Sequence, residues 1–335
     1  MSRFLLDILK NFPKCRIAVL GDLMLDRYCW GEATRISQEA PVPVVLVKRQ
    51  SEVPGGAANV ARNVLSLKGK VSVFGCVADD ADGKSLMALL QDGGADVSGV
   101  VTIPGGNTTV KTRILAGNQQ VVRVDHETPS QITEEIRKEL LKRLEVALKS
   151  GKIDALVMED YAKGVFTKEF MAQAAELARQ YGVLSTLDPH PSHAFDVKNL
   201  TLMTPNRMEA FALAGIRYES GIGDPVKDEP LRRVGEALLQ KWDVELLLIT
   251  LGAEGMALFP KDRSELLVIP TQARQVFDVS GAGDTVMATM TLAMCAGASP
   301  AKAATVANHA AGIVVGYVGT RAIEADELKE ALKAK

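Results

Sequence analysis

What this sequence lacks narrows the field before any motif is read. There is no basic excess: 39 Lys and Arg stand against 41 Asp and Glu, a formal charge of −2. Nothing in that balance points to nucleic acid or an anionic membrane. Cysteine is scarce. The four thiols, Cys15, Cys29, Cys76 and Cys295, fall at no metal-ligand or redox spacing and are sparse for a disulfide scaffold, so they read as reduced, mostly buried groups in a cytoplasm. Long apolar runs are missing too. The longest weakly polar stretch, 303 to 319, is broken by Asn308 and His309 and falls short of the ~20 residues a membrane span needs. The first residues, MSRFLLDILKNFPKCR, carry an acid inside a short apolar run and have no small-residue cleavage site, which fits an amphipathic helix rather than a signal peptide. With no internal repeat and no linker-like segment, residues 1–335 are expected to form one domain acting on small molecules, and 47% hydrophobic content supplies its core.

What is present alternates. Runs at 16–20, 71–77, 155–158, 183–188, 201–204 and 245–250 read as strands, and 55–67, 83–93, 131–149, 167–181, 206–214, 230–241 and 281–296 as helices. Nearly continuous apolar strands alternating with helices predict an α/β fold, a central, mostly parallel sheet flanked by helices on both faces. The segment after the first strand, with Asp26 and Arg27, reads as a loop. Two extended regions break the rhythm: 41–48, whose prolines suit an edge strand, and 108–125, a hairpin around Gly117 and Asn118. Together they predict a small β-sheet lid contributed by about 28–48 and 108–125.

The chain is organised around DVSGAGD, residues 278–284, which opens an apolar helix. A glycine-flanked turn at a helix N-terminus leaves several N–H groups pointing one way, where the helix dipole also favours negative charge. Phosphate or a developing oxyanion would bind there. Asp284 in the first turn admits two readings. It complements the dipole, or it accepts a proton from an attacking hydroxyl. In an open parallel sheet, ligands sit beyond the carboxyl ends of the strands. The polar groups expected there are Asp22, Asp160, Asp188, Asn206, and Thr250 with Gly252.

GGAAN (55–59), TPNRME (204–209), TLGAEG (250–255) and DVSGAGD (278–284), in that order over nearly the whole chain, resemble the motifs of the ribokinase or PfkB family of ATP-dependent sugar kinases. GDLMLDRY (21–28), RISQEAPVPVV (35–45), PGGAANVA (54–61), NQQVVRVD (118–125), DYAKG (160–164) and PTQARQVFDVSGAGDT (270–285) are similar, more narrowly, to the heptose-7-phosphate kinases of lipopolysaccharide inner-core synthesis.

The resemblance implies a ribokinase-like fold and a role for each motif. Asp284 becomes the general base, and the N–H groups of Gly281, Ala282 and Gly283 the anion hole. Asn206 and Glu209 match the family's NxxE, with Glu209 holding Mg²⁺ through water; the same pair at a helix start is also a capping box. Thr250 and Gly252 resemble the ATP loop. Asn308 matches a position near the adenine, or is an ordinary buried amide. Gly55 and Gly56 would bring the chain close to the sugar, with Asn59, Asp22 and Asp26 accepting its hydroxyls; a glycine turn and a solvated loop are the plainer readings.

Lys111, Arg113, Arg123 and Lys163, near Asp160, are expected to read a phosphate on the acceptor, with Arg113 and Arg123 as main contacts, unless they are solvated groups on the lid's outer face. Asp278 and Ser280, with carbonyls near 313–319, resemble a monovalent-cation site, which implies K⁺. Relatives carry a lysine where His190 stands, so that contact is not carried over, and His190 with His193 reads as a surface loop rather than a zinc site. Related kinases are homodimers, and Val42, Val44, Val45, Leu46 and Val47 are too apolar for an exposed edge, so a homodimer through the lid is expected. A second, nucleotidyltransferase domain is not expected, since no HxGH motif is present. The alternatives are another PfkB-type kinase for a sugar or nucleoside, and a catalytically dead sugar-binding regulator.

Overall fold

The computed structural model describes residues 2–117, 119–128, 132–262, 266–273 and 275–333. A short helix, α1 (Ser2–Leu9), precedes β1 (Arg16–Gly21), a fully apolar strand beyond its first residue. Two long strands follow, β2 (Leu23–Ile36) and β3 (Pro43–Gly56), and the glycine pair ending β3 turns the chain into α2 (Ala57–Ser66). Next come β4 (Lys70–Ala78), α3 (Ala81–Asp92), β5 (Asp96–Ile103), β6 (Thr109–Ala116) and β7 (Gln119–His126). From α4 (Glu134–Lys149) the alternation is regular: β8 (Ala155–Glu159), α5 (Lys168–Gln180), β9 (Leu184–Asp188), β10 (Leu202–Met203), α6 (Arg207–Ala214), α7 (Glu229–Trp242) and β11 (Leu246–Thr250). The chain finishes with β12 (Met256–Pro260), β13 (Leu267–Ile269), α8 (Ala282–Cys295), α9 (Pro300–Val314) and α10 (Ala325–Lys333). Helix starts are set by side-chain caps where the sequence offers them, Thr167 to the Phe170 N–H and Asp228 to the Leu231 N–H among them.

Nine strands form the main sheet in the order β13-β12-β11-β10-β9-β8-β1-β4-β5, parallel except for the two antiparallel pairings at the β12 and β13 edge. Successive strand residues serve opposite faces. Ile17, Val19, Val71, Val73 and Val157 pack with α2, α8 and α9, while Ala18, Leu20, Leu156 and Met158 pack with α4, α5 and α7, including the fully buried Trp242. Burial on both sides is why these strands read as apolar runs rather than alternating ones. Among the described residues no helix is long and apolar enough to cross a membrane.

The second sheet has four strands in the order β3-β2-β6-β7. It is the expected lid, but its roots reach further than the sequence suggested. Residues 23–27, expected as a loop, begin the 14-residue strand β2, and the edge strand expected at 41–48 runs from Pro43 to Gly56. Alternating charge concealed them: Asp26 faces the cleft and Arg27 the other side, where it pairs with Glu52 and Asp82. Strands β5, β12 and β13 were not expected. Asn118 of the hairpin turn, residue 131 at the expected start of α4 and Arg274 within the 270–285 motif lie outside the described residues. Trp30, on β2, stacks on Tyr28 with centroids 5.7 Å apart and lies under Arg49.

Candidate active site

Gly281, at φ +76°, caps α8 and turns the chain so that Asp284 falls in the helix's first turn, buried. Both its oxygens are engaged. Asn59 Nδ2 donates to Oδ2 at 2.6 Å, and the Tyr161 hydroxyl donates to Oδ1 at 2.5 Å. Burial pushes the Asp284 carboxyl up, and these two hydrogen bonds oppose it. Tyr161 is half-buried, with its phenol enclosed beside Asp284 and Glu159, so that desolvation and those carboxylates hold it well above its ordinary value and it stays a donor. The Ala282 N–H is spent on the Val279 carbonyl. That leaves the N–H groups of Gly281 and Gly283 without partners among the described residues, two of the three donors expected of an anion hole.

The expected sugar residues gather at the same end of the sheet, with different tasks. Asp22 is not in a solvated loop: its carboxylate accepts from the backbone N–H groups of Tyr161, Lys163 and Val165 at 2.9–3.1 Å, fixing the loop that brings Tyr161 to Asp284. Asp26 is buried against Arg113, with Nη1 to Oδ1 at 2.8 Å. The glycine pair has its reason here. A Cβ on Gly55 would lie 2.8 Å from Asp26 Cγ, and one on Gly56, at φ +55°, 2.6 Å from the Asp22 carbonyl oxygen.

Of the four expected phosphate contacts, three already have a carboxylate. Arg113 pairs with Asp26, Arg123 with Asp125 at 2.8 Å, and Lys163 with Glu127. Lys111 has none among the described residues; its ammonium lies over the Tyr161 ring, 5.2 Å from the centroid. Burial lowers its pKa, as do Arg123 and Lys163 nearby, while Asp26 and Asp125 raise it. The Arg113 guanidinium, expected as a main anion contact, is thus engaged by a buried acid, and of the four cations Lys111 is the one with no carboxylate partner among the described residues.

On the other side of the cleft, Asn206 and Glu209 do form a capping box, with Glu209 N–H to Asn206 Oδ1 at 3.0 Å and Asn206 N–H to Glu209 Oε2 at 2.8 Å. Asn206 bridges to Thr250. Gly252, at φ +59°, opens a short turn where an added Cβ would meet nothing within 4 Å. Asn308 is buried and donates to the Pro270 carbonyl, pinning the segment after β13 to α9, so the buried-amide reading describes its contacts. Asp278 accepts from the N–H groups of Ser280 at 2.9 Å and Gly319 at 3.0 Å, joining the loop before α8 to the loop after α9. Tyr28 extends that junction to the lid, donating to Thr320 Oγ1 and accepting from the Thr320 N–H, both at 2.7 Å.

Three participants escaped the sequence reading. Tyr161 lay within a quoted motif without a role. Glu159 follows the expected strand 155–158 and was given no role. His193, expected in a surface loop, hydrogen-bonds Asp160 at 2.8 Å and stacks on Phe195; His190 instead meets Ser192. A cleft of about 800 Å³ opens at the opposite end of the sheet, near Arg16, Lys70 and Asp96. It is remote from every group described above.

The chain matches known proteins along most of its length. It is 41% identical over 310 residues to the Bifunctional protein HldE of Geobacter sulfurreducens, covering 92% of this chain and 61% of that protein. It spans 61–65% of the length of the curated relatives it matches. Among solved structures it resembles Arabidopsis thaliana ribokinase complexed with ribose and ATP, at TM-score 0.72 and 20% identity, covering 95% of this chain and 98% of that one. It also resembles Escherichia coli phosphofructokinase-2 in complex with potassium, at TM-score 0.76 and 18% identity over 96% and 98%. These likenesses fix a ribokinase-like fold, and the family model named pfkB family carbohydrate kinase matches residues 14–327. A kinase of this kind draws on a nucleoside triphosphate and a divalent metal. With its glycine-capped helix, first-turn aspartate and two-sheet architecture in place, the chain belongs to the pfkB family of carbohydrate kinases and is a sugar kinase.

Proposed function

We propose that the protein transfers the γ-phosphoryl group of ATP to the anomeric O1 of D-glycero-β-D-manno-heptose 7-phosphate, giving the 1,7-bisphosphate, a step toward ADP-heptose for lipopolysaccharide. The observation that carries the reading is the pairing of Asp284 with the unpartnered N–H groups of Gly281 and Gly283 at one helix start. The acceptor hydroxyl attacks the γ-phosphorus, its proton passes to Asp284, and the bond to the bridging oxygen breaks to release ADP. The Gly281 and Gly283 N–H groups receive charge building on the phosphoryl oxygens. Asn59 and Tyr161 hold the base in place, and Asp22 holds Tyr161's loop.

Lys111 favours an acceptor that already carries an anion. Of the four cations it is the one with no carboxylate partner among the described residues, it lies close enough to Asp284 to influence it, and Lys163 and Arg123 stand around it. The similarity of motifs such as DYAKG and NQQVVRVD to heptose-7-phosphate kinases, and the name shared by the relatives, support that anion being a heptose 7-phosphate. Asn206 and Glu209 offer an oxygen-only donor set suited to Mg²⁺, which would neutralise charge on the ATP phosphates when bound. Thr250 and Gly252 would lie along the nucleotide. Asp278, Ser280 and the 315–319 loop would hold K⁺, and comparing rates in potassium and in tetramethylammonium tests this.

The lid supports a homodimer. Ile36, Val42, Leu46, Val47, Val121, Val122 and Val124 are exposed on it, and two copies crossing there would cover them. Sedimentation at micromolar concentration should give a dimer, and Leu46→Ser with Val122→Ser should shift it to monomer. We place the kinase in the cytoplasm, where its four free thiols suit a reducing medium. The deciding experiment is ADP release from ATP across a panel of sugars and sugar phosphates. Heptose 7-phosphate should be the preferred acceptor; equal use of unphosphorylated heptose would return Lys111 and its neighbours to the surface.

A further inference from the structure

The floor of the cleft holds acids that the transfer reaction leaves without a task. Glu159 ends β8 and Asp188 ends β9, and the parallel register sets them opposite one another, so both side chains leave the same face of the sheet. Asp284 comes down on them from α8. One oxygen from each of the three lies within 4.8 Å of the other two. Glu159 is wholly buried, and among the described residues neither of its carboxylate oxygens has a hydrogen-bond partner. Buried carboxylates in that condition are rare, because losing water without gaining a donor is costly. Asp188 receives one long hydrogen bond, 3.4 Å from the Thr204 hydroxyl. Among the described residues no lysine, arginine or histidine forms an ion pair with Glu159 or Asp188, and Asp160 and Glu209 add further negative field.

Such a group needs a positive charge, and its chemistry selects which kind. All three donors are hard oxygens, and oxygens on opposite sides of a Mg²⁺ or Mn²⁺ ion stand roughly 4 to 5 Å apart. Oxygens at adjacent positions on such an ion stand roughly 3 Å apart, so side-chain rotation within the observed 4.8 Å limit would bring the three onto one ion.

We propose that Glu159, Asp188 and Asp284 form a divalent-cation site of the nucleotide-free protein, for an ion of the Mg²⁺ or Mn²⁺ class. It is separate from the ion that Glu209 would hold beside ATP. Glu159 is the defining ligand, since it is wholly buried and offers an oxygen to the cluster while neither of its oxygens has a hydrogen-bond partner among the described residues.

The test uses the full chain, stripped with chelator and free of nucleotide, titrated with Mn²⁺ while electron paramagnetic resonance follows the unbound ion. Native protein should bind one ion per chain. Glu159→Gln should weaken that binding by at least about 10-fold, as loss of a metal-site carboxylate does, whereas Glu209→Gln should leave it within about two-fold. Thermal melts check that each variant folds, and Asp188→Asn replaces Glu159→Gln if the latter does not. No nucleotide-independent binding in native protein would overturn the proposal, as would loss on Glu209→Gln with retention in Glu159→Gln. A Glu159→Gln variant that is more stable than a native protein binding no Mn²⁺ would instead assign the cluster to protons. Because the readout is ion binding without ATP or sugar, it stands or falls apart from the heptose assignment.

Discussion

The two sheets solve the same problem in opposite ways. In the nine-stranded sheet, β8 and β12 are buried at every residue, covered from both sides by helices of the same chain. In the lid, β7 is exposed at every residue, and the first half of β3 is open. The main sheet is held by apolar burial. The lid's root is held by charge, through Arg113 with Asp26 and Arg27 with Glu52 and Asp82, while its apolar outer residues cover nothing within the chain. Groups that must not move, Asp284 and its supports, therefore sit on the element that is complete by itself. The groups proposed to recognise the acceptor, Lys111 above all, sit on the element that is not.

The largest expected effect tests the charged root. Arg113→Ala strands Asp26 as a buried carboxylate and should cost about 3 kcal/mol of folding stability in urea titration. A loss confined to acceptor affinity, with stability unchanged, would mean the root is held by something other than this pair. Asp284→Asn probes the main sheet's function without its packing: kcat should fall at least about 10²-fold, roughly 2.7 kcal/mol on the barrier, with ATP binding and the unfolding midpoint nearly unchanged. Gly21→Ala attacks the packing itself. Its Cβ would lie 2.3 Å from the Glu159 carbonyl oxygen on the neighbouring strand, and the strain should cost about 2 kcal/mol; a milder effect than that of Gly117→Ala, at the lid's open hairpin, would reverse the comparison.

Proton linkage should separate the sheets by sign. In chelated protein, burial and repulsion from neighbouring carboxylates, Asp188 on Glu159 and Glu209 and Asp284 on Asp188, hold the two well above their ordinary values of 4.5 and 3.8, so the fold keeps protons that the unfolded chain releases. Their contribution is full below those ordinary values and is lost as pH rises through the raised ones. Glu52 on the lid runs the other way: burial pushes it up, but hydrogen bonds from Ser85 and Arg27 outweigh that and hold it below 4.5. Its contribution is present above the ordinary value and is lost as pH falls through the lowered one. Glu159→Gln should thus gain on native protein as pH rises from about 5 to 8, and Glu52→Gln should lose its deficit as pH falls toward about 3.

The sequence revealed the main sheet because two-sided burial writes itself as apolar runs, and the glycine motifs because their φ and close approaches demand glycine. It hid the lid's root. Asp26 and Arg27 look like loop residues until their partners are known, and Arg113 and Asp82 are remote in the chain. For the same reason, the three N–H donors that engage Asp22 could not be foreseen, since they lie about 140 residues away. Glu159 was invisible for a different cause. An acid at the end of ALVM carries no spacing signal, and only the register beside Asp188 gives it meaning.

The chain's two tryptophans fall one to each region: Trp242 is sealed in the main core, while Trp30 on β2 is packed between Tyr28 and Arg49. Tyr28 in turn is hydrogen-bonded to Thr320 beside the helix turn that bears Asp284. The protein thus carries its own optical reporter. Indole emission from the sealed ring should stay constant as ligands arrive, and any change in colour or intensity on adding acceptor originates at Trp30, so Trp30→Phe should abolish the signal and leave turnover intact.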